Sequence, residues 1–276
     1  MRVQAILLVA AAVFLAACST GPTAPDPGTP AFLWSAARQT YHDGDFAKAN
    51  DDLSELQQSD NVFAPRARIW QIVLAGGMAR GYSELADGYE AGAKFNRDNS
   101  LPLHKRLTDL RAAASHAAMD FTQAVHSFAA NDPSADVQLS FDFPPGSIAQ
   151  PLSLRKVYSG AVLTDSEAQA LEAAMAERGV IRMLCLAGGT AEDPAKALEK
   201  FKGGDVKTPR ATFLYATAKT LFDASELFTS NKLDQPQRRR VMCEEALVAL
   251  RSVPETSETS GLVARIQTAL KKIPGV

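Results

Sequence analysis

Gly77, Gly81, Leu85, Gly88 and Gly92 recur at intervals of four, four, three and four inside a stretch, Arg66 to about Asn96, that otherwise reads as helix. Those intervals place them on one face. A glycine in a helix interior costs about 1 kcal/mol relative to alanine, so a stripe of them needs a compensating gain. Unusually close approach by another helix supplies one, and it constrains the fold: the bare stripe has to be covered by a neighbouring backbone. A phosphate-cradling reading of Ala75 to Gly81 fails on context, because no strand pattern precedes it and no Lys-Ser/Thr follows.

The following stretch has a different character. Asn99 or Ser100 with Pro102 is a helix start, and Leu103, Leu107, Leu110, Ala114, Ala117, Phe121, Ala124 and Phe128 keep a four-three rhythm until Asn131-Asp132-Pro133. At about 1.5 Å per residue this is a rod of roughly 40 Å, and the pattern makes it the expected spine. Thr164 with Glu167 predicts a capped helix running to Gly188-Gly189. Helices over Glu192 to Phe201, from Pro209, over Gln235 to Arg251 and over Ser260 to Ile273 complete an antiparallel set.

Alanine is abundant and aromatics make up only 7% of the chain, so the apolar content suits helices, and an all-α fold is expected. The exception is one long irregular loop around 131–154. There Val137, Leu139, Phe141 and Phe143 alternate with polar residues as a short strand would, before Pro144-Pro145-Gly146 turns the chain. Such a loop is either functional or an ordered crossover whose two Phe side chains plug a gap between layers.

At the N-terminus, Arg2 precedes an apolar run, Ala5 to Phe14, that is the length of a secretory signal core and too short to span a bilayer. Leu15-Ala16-Ala17-Cys18 follows and resembles the lipobox of bacterial lipoproteins, in which the Cys is acylated and becomes the mature N-terminus. The resemblance implies a signal peptide over 1–17, lipid attachment at Cys18, and a Pro/Gly-rich tether over 18–30 carrying a domain over 31–276. With Ser19 next, it further implies delivery to the outer membrane, facing the periplasm. Several acyl chains, each buried methylene adding about 0.8 kcal/mol, make such an anchor permanent.

From Trp34 onward, Ala37, Tyr41, Gly44-Asp45-Phe46, Ala49, Leu53 and Leu56 resemble a tetratricopeptide (TPR) repeat, two helices joined by a Gly-Asp-aromatic turn. Ala37 replaces the usual Gly, and Asn61 stands where Pro often closes the unit. The resemblance implies TPR-like antiparallel hairpins in a solenoid-like body, with the later helices as degenerate units. It also implies partner contacts from the first helix, through Arg38, Tyr41 and His42.

Candidate chemistry is sparse. His42, His104, His116 and His126 form no close ligand pair, so no metal site is expected, and no Gly-x-Ser-x-Gly elbow or nucleotide loop occurs. Cys185 and Cys243 lack electropositive neighbours in sequence and are either two buried thiols or, in an oxidising compartment, a disulfide. Arg238-Arg239-Arg240 is expected to be a solvated helix face. A net charge of −2 gives no electrostatic reason to expect nucleic acid.

The sequence therefore leads to three expectations, in order. The first is a non-enzymatic, lipid-anchored scaffold that recruits an envelope protein, with no cofactor. The second is a small-molecule carrier, with a pocket between the glycine-striped helix, the Leu103 to Phe128 helix and the Phe141 loop. The third is an envelope enzyme, placed last because no nucleophile and base can be named.

Overall fold

The computed structural model describes residues 25–131, 134–139, 148–202 and 206–274. Within them the protein is all-α, with one two-stranded sheet. The lipobox with Cys18, and Phe141 and Phe143, lie outside the described residues.

Helices α1 (Pro30–His42) and α2 (Phe46–Leu56) form a hairpin. Thr29 caps α1, its Oγ1 accepting from Phe32 N at 3.2 Å, and Asp45 caps α2, its Oδ1 accepting from Lys48 N at 3.1 Å. Between them Gly44 has φ +80°, the left-handed region that a glycine enters without strain. Ala37 and Ala49 are wholly buried, and Tyr41 packs edge-on against Phe46 at 5.6 Å and Trp70 at 5.3 Å. Asn61 links this hairpin to the next helix: its Nδ2 donates to Leu56 O, and its Oδ1 accepts from Phe63 N and Ala64 N.

Helices α3 (Ala64–Phe95) and α4 (Ser100–Asn131) are each 32 residues long and pack along one another. The central one is α3, not the helix that the four-three rhythm singled out. Residues 72–79 of α3 are all buried, the signature of a helix surrounded by protein, whereas α4 keeps an exposed face. Packed on α3 are α2, α4, α5 (Leu152–Tyr158), α6 (Asp165–Ala187), α8 (Arg210–Ser225) and strand β1 (Asp136–Leu139). A solenoid unit touches only its neighbours. This body is instead wrapped around one helix.

The glycine stripe explains how. A Cβ on Gly77 would lie 2.5 Å from Val180 Cα, and one on Gly81 would overlap the Met175 carbonyl, both on α6. Further along, a Cβ on Gly92 would overlap the Val157 carbonyl and one on Gly88 would meet Leu154 Cδ1 at 3.0 Å, both on α5. Two helices thus share one bare stripe. α5 begins at the end of the span read as an irregular loop, its first three residues, 152–154, falling inside it. Its seven residues are too few for the helical period to emerge from the sequence.

Also in that span, β1 pairs antiparallel with β2 (Val206–Pro209), Val137 opposite Thr208. The strand over Val137 to Leu139 is as read; its partner was not. The Thr164–Glu167 capping box opens α6 as the sequence indicates. Beyond it come α7 (Pro194–Phe201), α8, a 3₁₀ turn (Glu226–Phe228), α9 (Pro236–Leu250) and α10 (Ser257–Lys272).

Candidate docking groove

Where α6 ends, the chain makes a short loop whose geometry builds one wall of a surface groove. Gly188 caps α6 and Gly189 turns at φ +70°. Ala191 (φ +49°) and Glu192 (φ +62°) then both occupy the left-handed region, before Asp193 caps α7. Two successive non-glycine residues there carry strain that their surroundings must hold, each of order 1 to 3 kcal/mol.

The opposing walls come from α8 and α10. Thr212, Tyr215 and Lys219 recur at helical spacing on α8, and Glu258, Leu262 and Arg265 on α10. The groove has two adjoining recesses, of about 340 and 610 Å³, sharing Leu186, Ala191, Tyr215 and Glu258. Its floor is apolar, from Leu186, Tyr215 and Leu262, and Val253 and Pro254 close one end. Gly261 leaves α10 bare here: a Cβ on it would meet nothing within 4 Å.

Glu192 is held by charge. Arg80 of α3 donates two hydrogen bonds to its carboxylate, at 3.0 and 3.1 Å, the forked geometry that suits this pair. Lys219 Nζ stands 3.7 Å from the same carboxylate and 3.1 Å from Asp223, and Arg182 Nε stands 3.9 Å from it. Behind them Arg182 donates to Glu84 at 3.0 Å, Arg178 contacts the other Glu84 oxygen, and Arg178 Nε donates to Ile148 O at 2.7 Å.

Cations therefore crowd this wall: Arg80, Arg178, Arg182 and Lys219 share Glu84 and Glu192, with Asp223 at the edge. Burial, with the guanidiniums of Arg80 and Arg178 alongside, lowers the Arg182 pKa despite Glu84 and Glu192. At Glu192 burial pushes the carboxyl up, but the Arg80 hydrogen bond and the charges of Arg80, Lys219 and Arg182 outweigh it and hold it below the ordinary glutamate value. Burial, then the charge of Glu258, raises Tyr215.

None of the residues singled out by the TPR resemblance lines this groove. Arg38 and His42 are exposed on α1, while Tyr41 is only 4% exposed and its ring belongs to the aromatic cluster. The arginine run lies at the surface of α9. Arg238 is exposed and Arg239 and Arg240 partly so, and each has an acceptor: Arg238 donates to Ser115 Oγ at 2.8 Å, Arg239 to Glu226 at 2.6 Å and Arg240 to Pro274 O at 3.3 Å. Each side chain leaves the helix in a different direction and finds its own acceptor.

Cys185 and Cys243 are buried free thiols rather than a disulfide. Burial pushes Cys185 up to about 11 and also raises Cys243. His116 pairs with Asp120 at 3.1 Å and His126 with Glu245 at 3.0 Å, and no cluster of three metal-ligating side chains occurs among the described residues.

A pocket beside the Phe141 loop rests on residues outside those described. A cleft of about 430 Å³ does lie between Tyr89 of α3, Leu103 and Arg106 of α4, and the 162–165 loop. The groove itself was missed because Glu192 reads as the first residue of a helix, and its clamp comes from Arg80, 112 positions away.

Among known proteins, no family model, no curated protein and no solved structure matches this chain.

Proposed function

We propose that this chain is a lipid-anchored cell-envelope protein, tethered through Cys18 to the periplasmic face of the outer membrane, whose helical body recruits a partner protein and catalyses no reaction. The observation that carries the recruiting role is the groove between α6, α8 and α10, apolar along its floor and open to solvent along its length. Interfaces draw their affinity from a few apolar anchors seated in such depressions. The anchor rests on the Leu15 to Cys18 motif and the tether behind it.

The test is site-specific photo-crosslinking in the protein's own cells, using the full chain. A photoreactive side chain at Thr212, within the groove, is expected to yield a discrete protein adduct; one at Leu101, 83% exposed and outside the groove, is not. Equal adducts from both positions, or none from Thr212, would overturn the reading. The anchor is checked separately, by partition into a detergent phase that Cys18→Ser abolishes.

A second reading, a small-molecule carrier, is favoured by the 430 Å³ cleft beside Tyr89, which is of small-ligand size. Its principal cation is already engaged, Arg106 lying 2.5 Å from Asp165 and 3.8 Å from Glu172. This reading expects an added mass in native mass spectrometry of the purified full chain; a bare mass removes it.

A further inference from the structure

We infer that the groove receives an apolar segment of a partner protein bearing a carboxylate, and that this carboxylate takes the seat Glu192 now fills on Arg80 and Lys219. The inference rests on the groove reading above and adds the chemistry of its occupant.

Three observations converge. Glu192 is a groove-wall residue whose carboxylate binds Arg80 in the forked, two-bond manner that an external carboxylate would use. It does so from a strained backbone, with both Ala191 and Glu192 at positive φ, so letting go of Arg80 allows the loop to relax. Among the described residues, Glu192 is the one carboxylate paired with Arg80, whereas Lys219 retains Asp223 and Arg182 retains Glu84. When Glu192 swings out, Arg80 is left as an unmatched, partly buried cation behind the wall that Glu192 had formed. An occupant that matches it needs an apolar side chain for the space over Leu186, Tyr215 and Leu262, and a carboxylate a few ångströms away.

Alternatives within the fold fit less well. In the cleft beside Tyr89, Arg106 already pairs with Asp165. The exposed Phe95 and Leu101 line neither the groove nor the cleft beside Tyr89.

Two fluorescent dyes of one aromatic body provide the test: anilinonaphthalene sulfonate, which is anionic, and phenylnaphthylamine, which lacks the sulfonate. The Cys18→Ser full chain, kept free of detergent because micelles take up both dyes, is titrated with each. The sulfonate dye is expected to bind more tightly than the neutral one. Glu192→Gln should tighten the sulfonate dye about tenfold, because a neutral amide competes poorly for a guanidinium, and leave the neutral dye within about twofold. Lys219→Met should weaken the sulfonate dye alone. N-acetylphenylalanine should displace the sulfonate dye, and its amide should not.

Gly261→Trp, which fills the groove from a position with open space, should abolish binding of both dyes. If it abolishes neither, the dyes are not in the groove and the proposed function falls with the inference. If it abolishes both while Glu192→Gln and Lys219→Met leave the preference between dyes unchanged, only the carboxylate inference is overturned. Should Glu192→Gln lose its helical circular dichroism, the Lys219→Met comparison decides.

Discussion

Gly179 faces Gly77 so closely that a Cβ on Gly179 would overlap the Gly77 carbonyl oxygen and come within 2.8 Å of its carbon. Glycine thus meets glycine where α6 crosses α3, and the two backbones touch without intervening side chains. Val180 then reaches the Gly77 Cα surface and fills the rest of the contact. Dispersion over such a seam repays the helix propensity that both glycines give up.

Gly179→Ala is therefore expected to destabilise the protein by about 1 to 3 kcal/mol or more, since the obstructing atoms are backbone and cannot rotate away. Gly261→Ala, facing open space in α10, is expected to be neutral or to stabilise by up to about 1 kcal/mol. Urea denaturation midpoints of the two variants compare these; equal shifts would dismiss the seam as a source of stability.

At the aromatic cluster, Tyr41→Ala should cost about 3 to 5 kcal/mol, because it empties the space between Phe46 and Trp70. Arg38→Ala, one turn earlier on the exposed side of α1, should stay within about 0.5 kcal/mol. Thermal denaturation of both variants measures the contrast, and a mild Tyr41→Ala phenotype would return this ring to the list of surface contacts.

The Arg80–Glu192 clamp should leave a signature in acid. A carboxyl whose pKa is lower in the folded than in the unfolded chain contributes stability that is present above the unfolded value and lost as pH falls through the folded one. Between about pH 5 and 3 the wild type is thus expected to lose more stability than Glu192→Gln, whose amide does not titrate. Parallel stability curves for the two proteins over this range would show that the clamp contributes nothing.

Cys185 and Cys243 should resist alkylation in the folded Cys18→Ser variant at pH 8: burial raises both thiols, and Cys185, raised to about 11, is ionised in only about one molecule in a thousand. Both should react promptly in urea. Mass spectrometry after a short iodoacetamide pulse reads the outcome, and rapid labelling of Cys185 without denaturant would contradict its burial.

Much of the helical layout was legible because it is written locally. Thr164 and Glu167 satisfy each other's backbone donors across three residues, Gly44-Asp45 makes a turn and a cap from adjacent positions, and the α4 rhythm repeats every turn. The groove was not legible for the complementary reason. Its walls come from α6, α8 and α10, and nothing near Glu192 announces that the chain will turn left-handed there. The rank of the long helices was also misread: a clear amphipathic rhythm marks a helix with one wet face, whereas a helix buried all round, like α3, loses that rhythm.

The order of the residues was enough to establish a helical chain, the starts and stops of most helices, and a bare stripe that another backbone has to cover. It took the folded chain to assign that stripe to α6 and α5, to pair Val137 with Thr208 and to bring Arg80 onto Glu192. Caps, turns and periodicity are interactions among residues a few positions apart, and so can be read along the chain. The choice of partners across the fold is set by which arrangement buries the most apolar surface without stranding a charge, a property of the whole chain that no local stretch contains.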